Sequence, residues 1–147
     1  MRRSLFLTAS IILVFAAVAI AAAVSYKTGT YKAGSAKKDG VSLNIKHGSF
    51  SVSRISFRET CSNPNDSFSD RFTLLKGPNA KLDGTINSKG KLKGHYKGSG
   101  GSVTVTGSVK GSKATVNGNE SGNYTPSSST ATYKCSGSHT FYTKLSK

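Results

Sequence analysis

The sequence predicts an all-β domain, an antiparallel up-and-down β-barrel or a β-sandwich of about nine to ten short strands, preceded by an N-terminal signal or anchor helix. Three observations lead there. After Val24 no stretch carries the 3.6-residue apolar period of an amphipathic helix, while period-2 alternation of apolar and polar residues recurs. Glycine-containing turns separate the alternating runs at short intervals, which leaves little room for parallel crossovers. Residues 5–24 differ from all the rest in being almost wholly apolar.

That opening segment has the three parts of an export signal. Met1, Arg2 and Arg3 form a positive start, Leu5 to Ile20 an apolar run, and Ala19-Ile20-Ala21 or Ala21-Ala22-Ala23 a small-x-small cleavage pattern. Residues 1–23 are therefore read as a signal peptide and 24–147 as a single β domain. The rival reading keeps residues 4–24 as a membrane anchor, since they are about long enough to cross a hydrocarbon core of roughly 30 Å. The alanine-rich end, with no basic stop-transfer cluster, favours cleavage. The expected location is secreted or extracytoplasmic, or anchored to the membrane by residues 4–24.

Lys and Arg number 21 against 6 acidic residues, a formal charge of +15. Such a balance favours solubility and attraction to polyanions and says nothing of the fold. Leu, Ile, Val and Phe make up less than about a fifth of residues 24–147, a range in which disorder competes. The alternation argues against disorder, because a disordered tract has no reason to alternate. The only two cysteines, Cys61 and Cys135, most simply pair in an exported chain. In the loop-entropy model so long a ring contributes about 4 kcal/mol, a large share of the stability of a thin core.

Along the chain, Tyr26 to Lys32 reads as a first strand, and Val41, Leu43 and Ile45 mark a second before the turn His47-Gly48. The next run places Phe50 and Val52 on even positions but Ile55, Phe57 and Cys61 on odd ones. The inward face thus switches parity near Ser53-Arg54, which predicts a β-bulge or bend. Ser62 to Ser67 is a turn-rich loop after the cysteine. Further strands follow at Phe68 to Leu74, Leu82 to Ile86, Leu92 to Tyr96, and Val103 to Val109. Gly111-Ser112 is a two-residue hairpin signal leading to Ala114 and Val116. Asn117 to Ser129 is expected to be the longest loop. Ala131 to Cys135 and Phe141 to Leu145 close the chain as strands separated by Gly137-Ser138. Gly84, Gly94, Gly107 and Gly118 fall on the apolar parity, which implies sharp coiling, close backbone approach or a poorly filled core.

Lys91, Lys93, His95 and Lys97 alternate with Leu92, Gly94 and Tyr96 and so project from one outer face. Lys89 precedes them in a turn, and Lys110 and Lys113 flank the next hairpin. These seven residues are the candidate anion-binding set, suited to an anionic cell-envelope polymer or lipid head groups. Surface lysines that merely prevent edge-to-edge pairing are the plainer explanation. No nucleic-acid motif is present, and only Arg54, Arg58 and Arg71 follow the signal, so a nucleic-acid partner is not expected. His47, His95 and His139 have no nucleophile-and-acid neighbourhood in sequence, and the acidic pair Asp66 and Asp70 has Arg71 beside it for a local ion pair. The chain is thus expected to be non-enzymatic, with no metal or cofactor. The alternatives are a small apolar-ligand carrier with a barrel cavity lined by residues such as Phe57, Phe72 and Tyr96, and, further off, a hydrolase. A membrane partner is expected only if the N-terminal segment is kept, and the sequence leaves oligomeric state open.

The order Gly29-Thr30-Tyr31, Cys61, Gly101 to Gly107 and Cys135 after a signal peptide resembles that of small secreted bacterial proteins common in actinobacteria. The resemblance implies an antiparallel Gly/Ser/Thr-rich β domain and export, and it carries over no activity. The absence of tryptophan separates the chain from lipocalins and avidins, whose Gly-x-Trp signature it lacks.

Overall fold

The computed structural model of the protein describes residues 23–35 and 38–146. All but the last two residues of the apolar segment read as signal or anchor lie outside them. Among the described residues no helix is long and apolar enough to cross a membrane.

The described residues form nine antiparallel strands: β1 (Gly29–Gly34), β2 (Gly40–Lys46), β3 (Ser49–Ser62), β4 (Ser67–Leu75), β5 (Leu82–Ile86), β6 (Lys91–Lys97), β7 (Gly101–Lys110), β8 (Lys113–Tyr124) and β9 (Tyr133–Leu145). Their order is β2-β1-β9-β8-β7-β6-β5-β3-β4, with β3 also pairing with β2 and β9. β3 is the hub. Its first half lies between β2 and β5, and its second half between β4 and, at Thr60 to Ser62, β9. Following paired neighbours from β1 through β2, β3, β5, β6, β7, β8 and β9 returns to β1.

The parity switch in β3 is a bulge. Leu43 opposes Val52 and Ser42 opposes Arg54, so Ser53 is the extra residue. Before it Phe50 and Val52 point inward, and after it Ile55, Phe57 and Cys61 do, all buried. The Gly111-Ser112 turn pairs Lys110 with Lys113, and Gly111 adopts φ 57°, where a side chain is strained.

Four expectations fail in an instructive way. The strands are not all short: β3, β8 and β9 run to 14, 12 and 13 residues. Asn117 to Ser129 is not a loop, because β8 continues to Tyr124 and pairs fully with β9. Likewise Gly137-Ser138 does not interrupt β9. Outward Asn, Ser and Thr side chains and inward glycines hide these strands from an apolar pattern. The first strand also starts later than expected, at Gly29. Tyr26 makes only an isolated bridge, to Gly111.

The inward glycines serve a filled core. Gly84 and Gly94 are direct cross-strand partners, and a Cβ on either would collide with the Phe50 ring. Gly118 similarly leaves room for Ile55 and Phe57. Large rings thus occupy the space that small residues leave, and the buried apolar residues join in one cluster.

Candidate functional site

In an antiparallel array successive turns fall at alternate ends of the strands. The turns 47–48, 87–90 and 111–112 share one end, and the connections 63–66, 98–100 and 125–132 share the other. Each end carries a distinct constellation.

At the first end the register builds a row of lysines. Lys32 on β1 faces Lys144 on β9, Lys144 faces Lys113 on β8, and Lys113 faces Lys110 on β7. All four are exposed. Val109 donates its amide to the Gly90 carbonyl, which holds the turn bearing Lys89 against the end of β7. Directly opposed residues have Cβ atoms about 5 Å apart, so like charges there repel. Among the described residues none of these lysines forms an ion pair. Tyr142, on the same face of β9 as Lys144, is 79% exposed. Ser108, Lys110, Lys113, Tyr142 and Lys144 line a groove of about 460 Å³.

Lys91, Lys93, His95 and Lys97 project from the outer face of β6. Their neighbours on β7 are Ser108, Thr106, Thr104 and Ser102, so this stripe is flanked by hydroxyls. His95 Nδ1 lies 3.3 Å from Thr104 Oγ1. Of the seven residues singled out in the sequence, Lys110 and Lys113 are joined directly and Lys89 is held beside them, whereas the β6 residues form a separate column. Lys32 and Lys144 escaped notice because only the β1–β9 pairing, between the two ends of the chain, brings them into the row.

At the second end stands the Cys61–Cys135 disulfide, between directly opposed residues of β3 and β9. A carboxylate oxygen of Glu59 lies within 4.8 Å of both sulfurs. Glu59 lies near enough to Glu120 of β8 for the two carboxyls to influence each other's titration. Burial first, and then interaction with Glu59, push the Glu120 carboxyl up to about 7. Glu120 is 8% exposed, and its Oε2 is buried with no hydrogen-bond partner.

These groups face a cavity of about 350 Å³ whose walls include Phe72, Tyr96, Tyr124 and the Gly98 to Gly101 turn. Phe57 does not line it. That ring is sealed in the core against Phe72 and Phe141, with centroids 5.4 and 6.3 Å away. Asp70 opposes Glu59 across the β3–β4 pair and lines the same cavity. Arg71, expected to pair locally with Asp66 or Asp70, instead donates to Asp39 Oδ1 at 2.8 Å. The signal that Glu120 turns inward was present in the sequence: it shares parity with Ala114, Val116 and Gly118.

The disulfide is compatible with a location outside the reducing cytoplasm. No protein-family model matches the chain, and no curated protein and no solved structure matches it.

Proposed function

We propose that the protein is a non-enzymatic, extracytoplasmic binding domain, closed as a β-barrel, whose lysine end docks on a phosphate-bearing anionic surface of a cell envelope. The circuit of strand pairs supports the barrel, with β4 laid on β3 outside the circuit. The observation that carries the binding role is the Lys32, Lys144, Lys113, Lys110 row. Four like charges placed directly opposite one another destabilise the free domain, and an anion that bridges them offsets that repulsion. Tyr142 beside the row adds an apolar face with a polar tip, a side chain suited to the boundary between water and head groups.

The N-terminal segment strengthens the reading. Val24 donates its amide to the Ser88 carbonyl, and Tyr26 bridges to Gly111. The apolar sequence therefore joins the domain at the lysine end. Kept as an anchor, it holds that end toward the head groups; cleaved, it leaves the same face free for a soluble polyanion.

Cosedimentation with phosphatidylglycerol-containing vesicles tests this. Binding is expected at low salt and should fall steeply as the Debye length shrinks from about 30 Å at 0.01 M to about 8 Å at 0.15 M. Lys113→Glu with Lys144→Glu should abolish it. No binding even at the lowest salt rejects the proposal. A small apolar-ligand carrier is the weaker alternative, since carboxylates face the cavity that Phe72 and Tyr96 line.

A further inference from the structure

The outer wall of β8 and β9 carries a polar track that begins at the lysine row and runs toward the other end of the strands. Thr115 and Tyr142 are direct cross-strand partners next to the row, followed by Asn117 with Thr140 and then by Asn119 with Ser138. Successive pairs lie two residues apart, so all of them point outward. None of the six is buried.

Three grooves follow one another along these strands. The first, of about 460 Å³, holds Thr115 and Tyr142 beside the lysines, and the second, of about 370 Å³, holds Asn117 and Thr140. The third, of about 490 Å³, shares Asn119 and Ser138 with the second and reaches Arg58 of β3. At about 3.4 Å per residue, the strand from Lys113 to Asn119 spans roughly 20 Å.

The charge along the track has one sign. Lys113 and Lys144 stand at the near end and Arg58 at the far end, and among the described residues none of the three forms an ion pair. The one acid of β8, Glu120, turns inward and is buried, and β9 has none. Asp39, which approaches His139 in the second groove, is already held by Arg71. An anionic occupant therefore meets a cation at each end and no outward carboxylate of β8 or β9 between them.

The middle of the track is neutral, and its hydrogen-bonding groups are partly fixed. Thr140 Oγ1 donates to Asn117 Oδ1 at 2.8 Å, which orients that amide and leaves its two N–H donors without a partner. The Asn119 amide and the hydroxyls of Thr115 and Ser138 add both donors and acceptors. A bare phosphate chain offers acceptors only and leaves the acceptors of the wall unmet. A sugar hydroxyl both donates and accepts. The Tyr142 ring, 79% exposed, gives an apolar face on which a sugar ring can lie.

We propose that this track binds a linear, carboxylate-bearing polysaccharide, its acid groups on the Lys113–Lys144 end and on Arg58, its hydroxyls along Asn117 and Asn119. The planar guanidinium of Arg58 matches a carboxylate in a bidentate pair. The inference rests on the anion-binding reading of the lysine end for its near contact, and adds the chemistry of the polymer and a second, distant contact.

Calorimetric titration of the full chain with hexagalacturonate at low salt tests it, together with the NMR signals of Tyr142 and of the Asn117 and Asn119 side-chain amides. Saturable binding that moves all three signals is expected, weakened about tenfold in Arg58→Gln, as loss of a charge-assisted pair implies, and severalfold in Asn119→Ala. Both residues are exposed and lie away from the lysine end, so both variants should sediment with phosphatidylglycerol vesicles as the parent does. A parent that binds the hexamer and not the vesicles upholds the track and rejects only the docking on head groups. Three results overturn the track: no saturation; unchanged affinity in either variant, which marks attraction to the lysine row alone; or equal affinity for inorganic polyphosphate of the same charge, which marks a plain anion site.

Discussion

The two ends of this molecule solve opposite problems with the same strands. At the lysine end the register sets like charges face to face and leaves them exposed, with only short turns to hold the backbone. At the disulfide end the register sets cysteines face to face and the fold buries the Glu120 carboxyl near them. Charge that water screens is tolerated in a row; a carboxyl that the fold desolvates holds its proton to higher pH. One end is therefore tuned by salt and the other by pH.

The largest effect should come from the crosslink. Replacing Cys61 and Cys135 together by alanine is expected to cost roughly 2–5 kcal/mol, read as a fall in the denaturant midpoint. Hydrogen exchange should show the loss concentrated in the second half of β3 and in Tyr133 to Gly137. Equal loss at the Lys110–Lys113 turn would dissolve the distinction between the ends.

Next in size is the core between them. Gly84→Ala drives a methyl group into the Phe50 ring and the Lys93 carbonyl and should cost about 1–3 kcal/mol by overpacking. A neutral result in thermal melts would mean that β5 is free to shift.

The carboxyl pair gives a pH signature. Because the folded Glu120 carboxyl titrates at about 7, against 4.5 for the ordinary group, the folded state holds its proton more tightly than the unfolded state. The stability it contributes is complete below about pH 4.5 and declines as pH rises to about 7. Melting temperatures taken over that window should slope downward in the parent chain and lose that component in Glu120→Gln. An unchanged slope would exclude the pair as its source.

The smallest effect belongs to the lysine row. Lys113→Ser removes repulsion on two sides and should stabilise the domain by a few tenths of a kcal/mol to about 1 at low salt, less at high salt. Destabilisation instead would show that the row has partners that offset its charge.

Much of the fold was legible in the sequence because its signals are local. The parity switch at Ser53, the Gly111-Ser112 hairpin and the alternation of Val41, Leu43 and Ile45 each need only neighbouring residues. The continuation of β8 through Asn117 to Tyr124 was not legible, since its inward positions are Gly118, Glu120 and Gly122 and give no apolar beat. The lysine row needed β1 and β9 to meet, and the cavity needed β3, β4 and β8 together. Non-local pairing decides both sites, and no window of sequence contains it.

The position of β3 carries a consequence for the time course of folding. Hairpins such as β7–β8 close within microseconds, whereas β3 must find β9 across a separation of 74 residues at the cysteines. Late pairings of this kind dominate the rate of high-contact-order chains. With the Cys61–Cys135 bond already formed, that search is over before it begins. Refolding of the oxidised chain should therefore outpace that of the reduced one, with the difference arising in the folding limb of the chevron.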